Sequence, residues 1–434
     1  SPSYACPYQN AFWDGTQMVY GQGFAGADDV VAHELTHGVT EYTSNLTYVF
    51  QSGAINEAFS DIFGEFVDQL NNSRNTDNLG TLWRIGEDLP GYPNGIRDMK
   101  NPLTFGDPDK VTSPNNYCKA LTVTNNDNGG VHHNSGILNK AAYLITDGTG
   151  GTPFNGQTIT GLGIDKAARI FYKLETNLLT SGSDFNDLYN LLPQACTSLI
   201  GTNGIVSADC DQVKKAVIAT EMNLKPATCG PVNVAASCPA GQLKTTLFTD
   251  GFEAGTTQWQ ASNGWYRSPS FLNYPKSGAA EMYGDDSFTT SGDLLLEMKN
   301  GTVLPASASS SYFLHFAHAF ELENGFDGGV IEYTKNGTTW LPMNSMPAVN
   351  GPSVTILPGN GNPLENQLAF SGVSYGYQTT RFDISSLAGN TVRFRWRLGL
   401  DSINYWLGWY LDDVSIYRCA LNLTNKIFVP AVMK

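Results

Sequence analysis

Two histidines four residues apart, with a glutamate directly after the first, occur in the stretch VVAHELTHGV, residues 30–39. On a helix, side chains at i and i+4 lie on one face, so His33 and His37 can present imidazole nitrogens to a single metal ion. Glu34 lies beside them, in position to accept a proton from water. The pattern indicates a zinc hydrolase, although an exposed helix that merely carries these residues would show the same pattern.

A catalytic zinc site needs a third protein ligand, and the next predicted helix offers one. In GAINEAFSD, Glu57 and Asp61 are also four residues apart and share a helix face. A solvated face of an amphipathic helix is the alternative interpretation. It is weaker here because two successive helices each present a co-facial pair of ligand types. The apolar stripe on the opposite face consists of Ile55, Phe59, Ile62 and Phe66.

A third polar segment, DNGGVHHNSGILNKAAYLI, places His132 after a glycine-rich turn and Asp127 five residues before it. An Asp–His pair near a metal provides a group that binds developing negative charge. A helix cap or a loop histidine is the alternative for this segment taken alone. We expect His315 and His318, in the predicted strand YFLHFAHAF, to be structural.

Together, the segments NAFWDGTQMVYG, DVVAHELTHGVTEYT, SGAINEAFSDIFG, WRIGED and DNGGVHHNSGILNKAAYLI resemble the thermolysin family of secreted zinc endopeptidases. The resemblance covers about residues 4–224 and follows the family order of motifs. It implies a zinc metalloendopeptidase with a mainly α-helical catalytic lobe. The implied zinc ligands are His33, His37 and Glu57, and Glu34 is the implied general base.

The same resemblance implies roles for further residues. Asp61 would orient His33, and Asn56 would support the same ligands. The residues implied to stabilise the tetrahedral oxyanion are Tyr48 and His132, with Asp127 holding the histidine. Those implied to bind substrate are Asn10, Ala11, Arg97, Val30, Ile85 and Ile96. The last three imply an apolar pocket and a preference for large apolar side chains after the scissile bond.

The chain departs from the family pattern in two places. Residues 1–27 match only the end of the N-terminal, mainly β lobe that forms the other wall of the cleft. We therefore read Ser1 as a cut end and expect the natural protein to be longer and this chain alone to be weak or inactive. The family's calcium carboxylates correspond to Asp29, Asp68 and Glu87. Leu82 replaces another, which weakens a predicted Ca²⁺ site.

Composition changes near residue 225. We predict a peptidase domain over 1–225, a Pro- and Ala-rich linker over 226–244, a β-sandwich over 245–420 and a tail over 421–434. VRFRWRL alternates apolar and basic residues with the period of a half-buried strand, and Asn336–Gly337 predicts a hairpin. Pro193 should kink or split a helix over DFNDLYNLLPQACTSLI.

The second half resembles MAM-like jelly-roll domains through FTDGFEAGTTQW and GWYLDDVSIYRC. An antiparallel β-sandwich is the fold this implies. Asp250, Glu253 and Asp413 would share a structural calcium or serve as ordinary turn acids. Trp265 and Tyr405 would bind a glycan or another surface ligand if exposed, with core packing as the alternative.

Bulk properties narrow the classes of partner. The 434-residue chain has a formal net charge of −15, which argues against nucleic acid and anionic membranes as partners. It contains no apolar run long enough for a membrane span.

The chain has seven cysteines. Two pairs, Cys196/Cys210 and Cys229/Cys238, are close enough in sequence to close small loops in an oxidising compartment, although the connectivity stays open.

The sequence thus predicts a secreted, zinc-dependent endopeptidase that acts on proteins or peptides. The alternative is an extracellular binding or adhesion protein whose peptidase half is a damaged relic. A relic commonly loses its base or a ligand first, whereas every predicted catalytic residue is present here.

Overall fold

The computed structural model describes residues 7–71, 80–226, 229, 235–268, 273–287, 292–401 and 403–421. The chain divides into two units. The first comprises residues 1–232 with 276–279 and 374–376, and the second comprises the remainder of residues 233–434. The change from one unit to the other along the chain falls within the predicted linker. In the described part of the chain, no helix has the length and hydropathy of a membrane span.

The first unit is mainly α-helical, with two short two-stranded sheets beside the helices. Its strands are β1 (Ala11–Trp13), β2 (Met18–Tyr20), β3 (Arg84–Ile85) and β4 (Arg97–Asp98). Its helices are α1 (Asp28–Glu41), α2 (Phe50–Leu70), α3 (Asp127–Asn134), α4 (Gly136–Thr146), α5 (Ile164–Asn177), α6 (Phe185–Ser198) and α7 (Ser207–Ala219). β1 pairs with β2, and β3 pairs with β4, both antiparallel.

Helix α2 is buried on all sides rather than amphipathic. Its predicted apolar stripe lies in the core, where Phe59 and Phe66 pack against Phe171 of α5. Glu57 and Asp61 on the other face are 1% and 0% exposed, so the solvated-face alternative is wrong. Such carboxylates need buried partners, because burying an unpaired charge is costly.

Helix α6 runs through Pro193 without being split. Its start is fixed by a capping box, in which the Asp184 side chain accepts from the backbone N–H of Asp187 and the Asp187 side chain accepts from that of Asp184. Helix α7 begins at Ser207, and the carboxylate of Asp209 accepts from the backbone N–H of Val206.

The second unit contains two large antiparallel sheets. Its strands are β5 (Gln242–Asp250), β6 (Trp259–Ala261), β7 (Trp265–Arg267), β8 (Met282–Gly284), β9 (Gly292–Met298), β10 (Thr302–Val303), β11 (Ser310–Leu322), β12 (Gly328–Thr334), β13 (Leu341–Pro342), β14 (Ala348–Val349), β15 (Val354–Thr355), β16 (Leu368–Ala369), β17 (Gly372–Val373), β18 (Gln378–Asp383), β19 (Thr391–Leu400) and β20 (Gly408–Leu421). One sheet has the order β13-β12-β19-β9-β6, with β10 beside β19. The other has the order β14-β18-β11-β20-β8-β7, with β17 beside β11 and β5 beside β20.

The two sheets share one apolar core, as a β-sandwich requires. Trp396 of β19 packs edge-on against Phe316 of β11, with ring centroids 5.3 Å apart. The predicted alternation in VRFRWRL is confirmed, because Val392, Phe394 and Trp396 are fully buried in this core. The predicted hairpin at Asn336–Gly337 is also confirmed, since it joins the antiparallel strands β12 and β13.

Three disulfides connect described cysteines, and one predicted pair is wrong. Cys196–Cys210 forms as predicted, joining α6 to α7. Cys229 pairs with Cys118 and Cys238 pairs with Cys419, so the predicted small loop from Cys229 to Cys238 does not exist. Sequence proximity misled here because the two cysteines belong to different units. Cys6 and the tail beyond residue 421 lie outside the described residues.

Candidate active site

Two packed helices carry the predicted metal ligands. His33 and His37 lie one turn apart on α1, and Glu57 lies on α2. The helices approach closely at Gly64, where a Cβ atom would lie 2.7 Å from the backbone oxygen of Asp29. One ligand atom from each of the three side chains lies within 4.8 Å of the others, so the structure brings this predicted set together.

The spacing of these ligand atoms fits a tetrahedral zinc ion. Nε2 of His33 and Nε2 of His37 are 3.1 Å apart, and they lie 3.6 and 3.4 Å from the carboxylate oxygens of Glu57. Tetrahedral coordination at Zn–N distances of about 2.0–2.1 Å separates two ligand nitrogens by roughly 3.3 Å. Oε2 of Glu57 is buried without a hydrogen-bond partner among the described residues. Coordination to a cation would compensate for that missing hydrogen bond. Two imidazoles and a carboxylate are a donor set typical of catalytic zinc.

Each histidine is held from behind through its other ring nitrogen. Nδ1 of His33 lies 3.0 Å from Oδ1 of Asp61, and Nδ1 of His37 is hydrogen-bonded to Oδ1 of Asn56 at 2.7 Å. Asn56 in turn donates through Nδ2 to the backbone oxygen of Leu46 at 3.0 Å. These contacts direct both Nε2 atoms towards the metal position and fix the ring orientations.

Arg97 lies behind the ligands, paired with Asp61. Its Nε and Nη2 atoms donate to the two carboxylate oxygens of Asp61 at 2.8 and 2.5 Å. Although burial opposes ionisation, the charge of Arg97 holds the pKa of Asp61 well below its ordinary value. Asn139 of α4 donates to the same carboxylate at 2.7 Å, a contact that sequence reasoning missed because helix spacing does not reveal it. Arg97 also lines the cleft, as the predicted substrate contact requires.

Glu34 lies next to the ligands and is 6% exposed. Burial raises the pKa of its carboxyl group above the ordinary value. The backbone N–H of Trp13 in β1 is bonded to this carboxylate, and the indole Nε1 of Trp13 donates to Glu41 at 2.6 Å. Sequence reasoning missed Trp13, although it stands in the NAFWDG segment.

Tyr48, Asp127 and His132 form a connected group at the edge of the ligand set. The Tyr48 hydroxyl donates to Oε1 of Glu57 and lies 3.1 Å from Nε2 of His132. Asp127 accepts from the backbone N–H of His132 at 3.0 Å, and its other oxygen lies 2.5 Å from the ring Nδ1. Burial would lower the pKa of His132, but Glu57 and Asp127 outweigh it and raise that pKa.

The glycine-rich turn explains how His132 reaches this position. Gly129 and Gly130 have φ values of 86° and 100°, a conformation that favours glycine. A Cβ atom at Gly130 would lie 2.7 Å from the ring of Tyr117. Helix α3 is therefore interrupted before His132 rather than continuous through the turn.

A cleft of about 480 Å³ opens over the ligand set. Each of the six predicted substrate-binding residues lines it, and they are Asn10, Ala11, Val30, Ile85, Ile96 and Arg97. Further apolar lining that sequence reasoning missed comes from Phe12, Phe24, Leu46 and Leu89. Asn10 directly precedes β1, and Ala11 is its first residue. The cleft therefore combines a polar metal-ligand floor with apolar walls, a common composition for ligand sites.

The calcium ligands predicted in the first unit, Asp29, Asp68 and Glu87, stay a prediction. The ligand atoms of Asp29, Asp68 and Glu87 do not form a group within 4.8 Å in the described structure. Asp29 is instead bonded to the backbone N–H groups of Val30 and Gly86. Burial, with repulsion from Asp29 and Asp68, raises the pKa of Glu87 to about 9.

The calcium candidates in the second unit, Asp250, Glu253 and Asp413, also stay a prediction. Asp250 accepts from the backbone N–H of Phe252 and from Nε1 of Trp259, so it caps a turn. Glu253 accepts from the backbone N–H of Ala280, and no three-carboxylate group in the described residues includes Asp413. Trp265 is 4% exposed and belongs to the core, which removes it as a surface platform, whereas Tyr405 is exposed.

Comparison with known proteins matches the first half of the chain. Two family models match it, the thermolysin metallopeptidase catalytic domain over residues 3–41 and the thermolysin metallopeptidase α-helical domain over residues 44–221. A zinc metalloproteinase from Renibacterium salmoninarum is 46% identical over 219 residues, covering 49% of this chain and 38% of that relative. Thermolysin from Alicyclobacillus acidocaldarius subsp. acidocaldarius is 47% identical over 223 residues, covering 49% of this chain and 37% of that relative.

A solved structure is also similar. The precursor of protealysin, a metalloproteinase from Serratia proteamaculans, is 33% identical and has a TM-score of 0.40, covering 50% of this chain and 67% of that one. The chain spans well under half the length of the two curated relatives. The resemblance of the second unit to MAM-like domains stays a prediction.

Proposed function

This chain belongs to the thermolysin family of metallopeptidases, and from that premise we propose that it hydrolyses internal peptide bonds with the help of zinc. One observation carries the proposal. Ligand atoms of His33, His37 and Glu57 converge within 4.8 Å at the floor of an open cleft, with Glu34 beside them. When bound there, zinc supplies Lewis acidity, which polarises a carbonyl and lowers the pKa of water to about 7.

Glu34 is the proposed general base. Its raised pKa makes the carboxylate more basic than an exposed glutamate, so it accepts a proton from the attacking water more readily. The same carboxyl group then delivers the proton to the nitrogen of the leaving amine. The Trp13 N–H keeps the carboxylate oriented between the ligands and strand β1.

His132 and Tyr48 are the proposed donors to the oxyanion that forms on the scissile carbonyl. Burial and the neighbouring Glu57 raise the pKa of Tyr48, so its hydroxyl keeps its proton. Asp127 and Glu57 favour the charged form of His132, which strengthens its hydrogen bond to an anion. Each such donor typically contributes about 2.7–4 kcal/mol to transition-state stabilisation.

We propose protein or peptide substrates with large apolar side chains after the scissile bond. Val30, Ile85 and Ile96 line the cleft beside Arg97, where they would contact such a side chain. Residues Asn10 and Ala11 would pair with the substrate backbone as an added strand. Three disulfides among the described cysteines support an extracellular location, because disulfides persist in oxidising compartments.

The substitution Glu34→Gln tests this proposal. It keeps the shape of the side chain but removes the base, so we expect unchanged zinc content and a loss of roughly 10²–10⁴-fold in casein hydrolysis. Zinc is measured by plasma mass spectrometry on the same samples. Glu365→Gln in the second unit is the matched control. Hydrolysis by Glu34→Gln at the control's rate would contradict the mechanism.

A further inference from the structure

Three carboxylates of the second unit converge at one end of the sandwich. Ligand atoms of Glu323, Asp327 and Asp401 lie within 4.8 Å of one another. Asp327 and Asp401 are 1% and 3% exposed. None of the three belongs to the set Asp250, Glu253 and Asp413 that the sequence predicted, so this group is a separate feature of the fold.

The fold places these carboxylates with little freedom. Glu323 follows β11, and Asp327 precedes β12. The turn between them is closed by the backbone N–H groups of Phe326 and Asp327, which donate to the backbone oxygen of Glu323 at 3.0 and 2.9 Å. Asp401 follows β19, which pairs with β12 in a register that aligns Gly328 with Gly399. The Asp401 backbone N–H donates to Oδ1 of Asp327 at 2.6 Å. Three strand ends therefore hold the group in place.

A second observation points to a cation-binding role for this group. Oδ2 of Asp327 is buried and has no hydrogen-bond partner among the described residues, although the residue is almost completely enclosed. Oε2 of Glu323 is in the same situation. Buried carboxylate oxygens without partners are costly, and proteins normally pair them or coordinate a metal with them.

The surroundings add negative charge rather than removing it. The carboxylates of Asp401 and Glu323 both repel that of Asp327. Asp286, which is 2% exposed, is a further carboxylate that Asp327 and Asp401 repel. A divalent cation at the centre of these groups would offset the repulsion.

We propose that Glu323, Asp327 and Asp401 bind a calcium ion that fastens the ends of β11, β12 and β19. The donors are all oxygens, which suits a hard cation, and the group contains no histidine or cysteine that would favour zinc. Calcium–oxygen distances of about 2.3–2.6 Å place ligand atoms up to roughly 5 Å apart, compatible with the observed 4.8 Å limit.

Calcium binding to the full chain, with the zinc site loaded, tests the proposal. We expect calcium titration to show one site that Asp327→Asn and Asp401→Asn each weaken by about tenfold or more, because each removes a charged ligand. Terbium(III) is a luminescent probe of the same site, since Trp406 is nearby: its backbone N–H donates to Asp286. Asp383→Asn, whose side chain accepts from the Ser385 N–H, is the matched control and should bind calcium normally.

Thermal unfolding separates a calcium ligand from a merely structural aspartate. In calcium-free buffer, Asp327→Asn should melt at or above the wild-type temperature, because it removes a negative charge that is buried beside two other carboxylates. Added calcium should leave the melting temperature of Asp327→Asn unchanged, whereas it should raise that of the wild type. Unchanged calcium affinity in both variants would overturn the proposal, as would a site lost only in Asp413→Asn or a wild-type chain without this calcium site.

Discussion

Replacing Asp61 with asparagine should weaken both the fold of the first unit and its zinc affinity. Asp61 is fully buried, and it accepts from Arg97 twice, at 2.8 and 2.5 Å, and from Asn139 at 2.7 Å. It also lies 3.0 Å from Nδ1 of His33. Asparagine keeps the shape but replaces one acceptor by an NH₂ group and removes the charge.

The expected magnitudes follow from these contacts. Without Asp61, Arg97 keeps only weaker interactions with described carboxylates, namely Glu57, whose Oε2 lies 3.7 Å away, and Asp107. Breaking a buried ion pair by removing one partner costs about 3–5 kcal/mol, and the hydrogen bonds that asparagine retains favour the lower end. Loss of the partner that orients His33 should lower zinc affinity by about 10–100-fold.

Two assays read these effects separately. Chemical denaturation of the zinc-free chain, followed by the helical circular dichroism signal, reports the first unit, since the second unit is built from strands. Competition with a chromophoric chelator reports zinc affinity. Asp165→Asn, exposed in the first turn of α5, is the matched control. Zinc affinity within twofold of the control, together with unchanged stability, would refute the role assigned to Asp61.

Three further predictions follow from the site and its supports. Asn56→Leu removes the hydrogen bond to His37 and should reduce zinc affinity by about 10-fold or more, measured by the same chelator competition, and equal affinity would contradict it. Tyr48→Phe should lower kcat/KM for a peptide substrate by about 10²-fold with zinc content unchanged, and a change confined to KM would argue against an oxyanion role. Burial raises the pKa of Glu175 from 4.5 to about 7, so the folded state binds more protons between these values and stability should fall as pH rises through that window. The loss should reach up to about 3 kcal/mol and disappear in Glu175→Gln, as unfolding free energies on either side of the window would show.

The zinc ligands could be predicted from the sequence because their geometry is local. His33 and His37 share a helix face by spacing alone, and Glu57 shares a face of the next helix with Asp61 in the same way. The alternation in VRFRWRL fixes a strand face in the same local way. These patterns depend on the repeat of one element, which a sequence displays directly.

Contacts between segments that are distant in sequence were harder to predict. The Cys229–Cys238 pair was a guess from proximity, and the partners that form, Cys118 and Cys419, are remote in sequence. Asn139 reaches Asp61 from another helix, and no periodicity reports that contact. Such pairings follow from how whole elements pack.

The acidic group Glu323, Asp327 and Asp401 combines a local sequence signal with a contact that only the fold reveals. The segment ENGFDGG signals a turn with two acids, Glu323 and Asp327, which a sequence reader can notice. Its third member, Asp401, joins only through the pairing of β12 with β19. The predicted trio Asp250, Glu253 and Asp413 stays a prediction, and the structure shows only that Asp250 and Glu253 each accept a backbone hydrogen bond.

Zinc stoichiometry measured on the purified full chain tests the central assignment most directly. The account predicts one tightly bound zinc per chain, retained in Glu34→Gln and lost in Glu57→Ala, with X-ray absorption showing two imidazole nitrogens and carboxylate oxygen around the ion. A chain that binds no zinc, or one in which Glu57→Ala retains zinc with the same ligands, would contradict it.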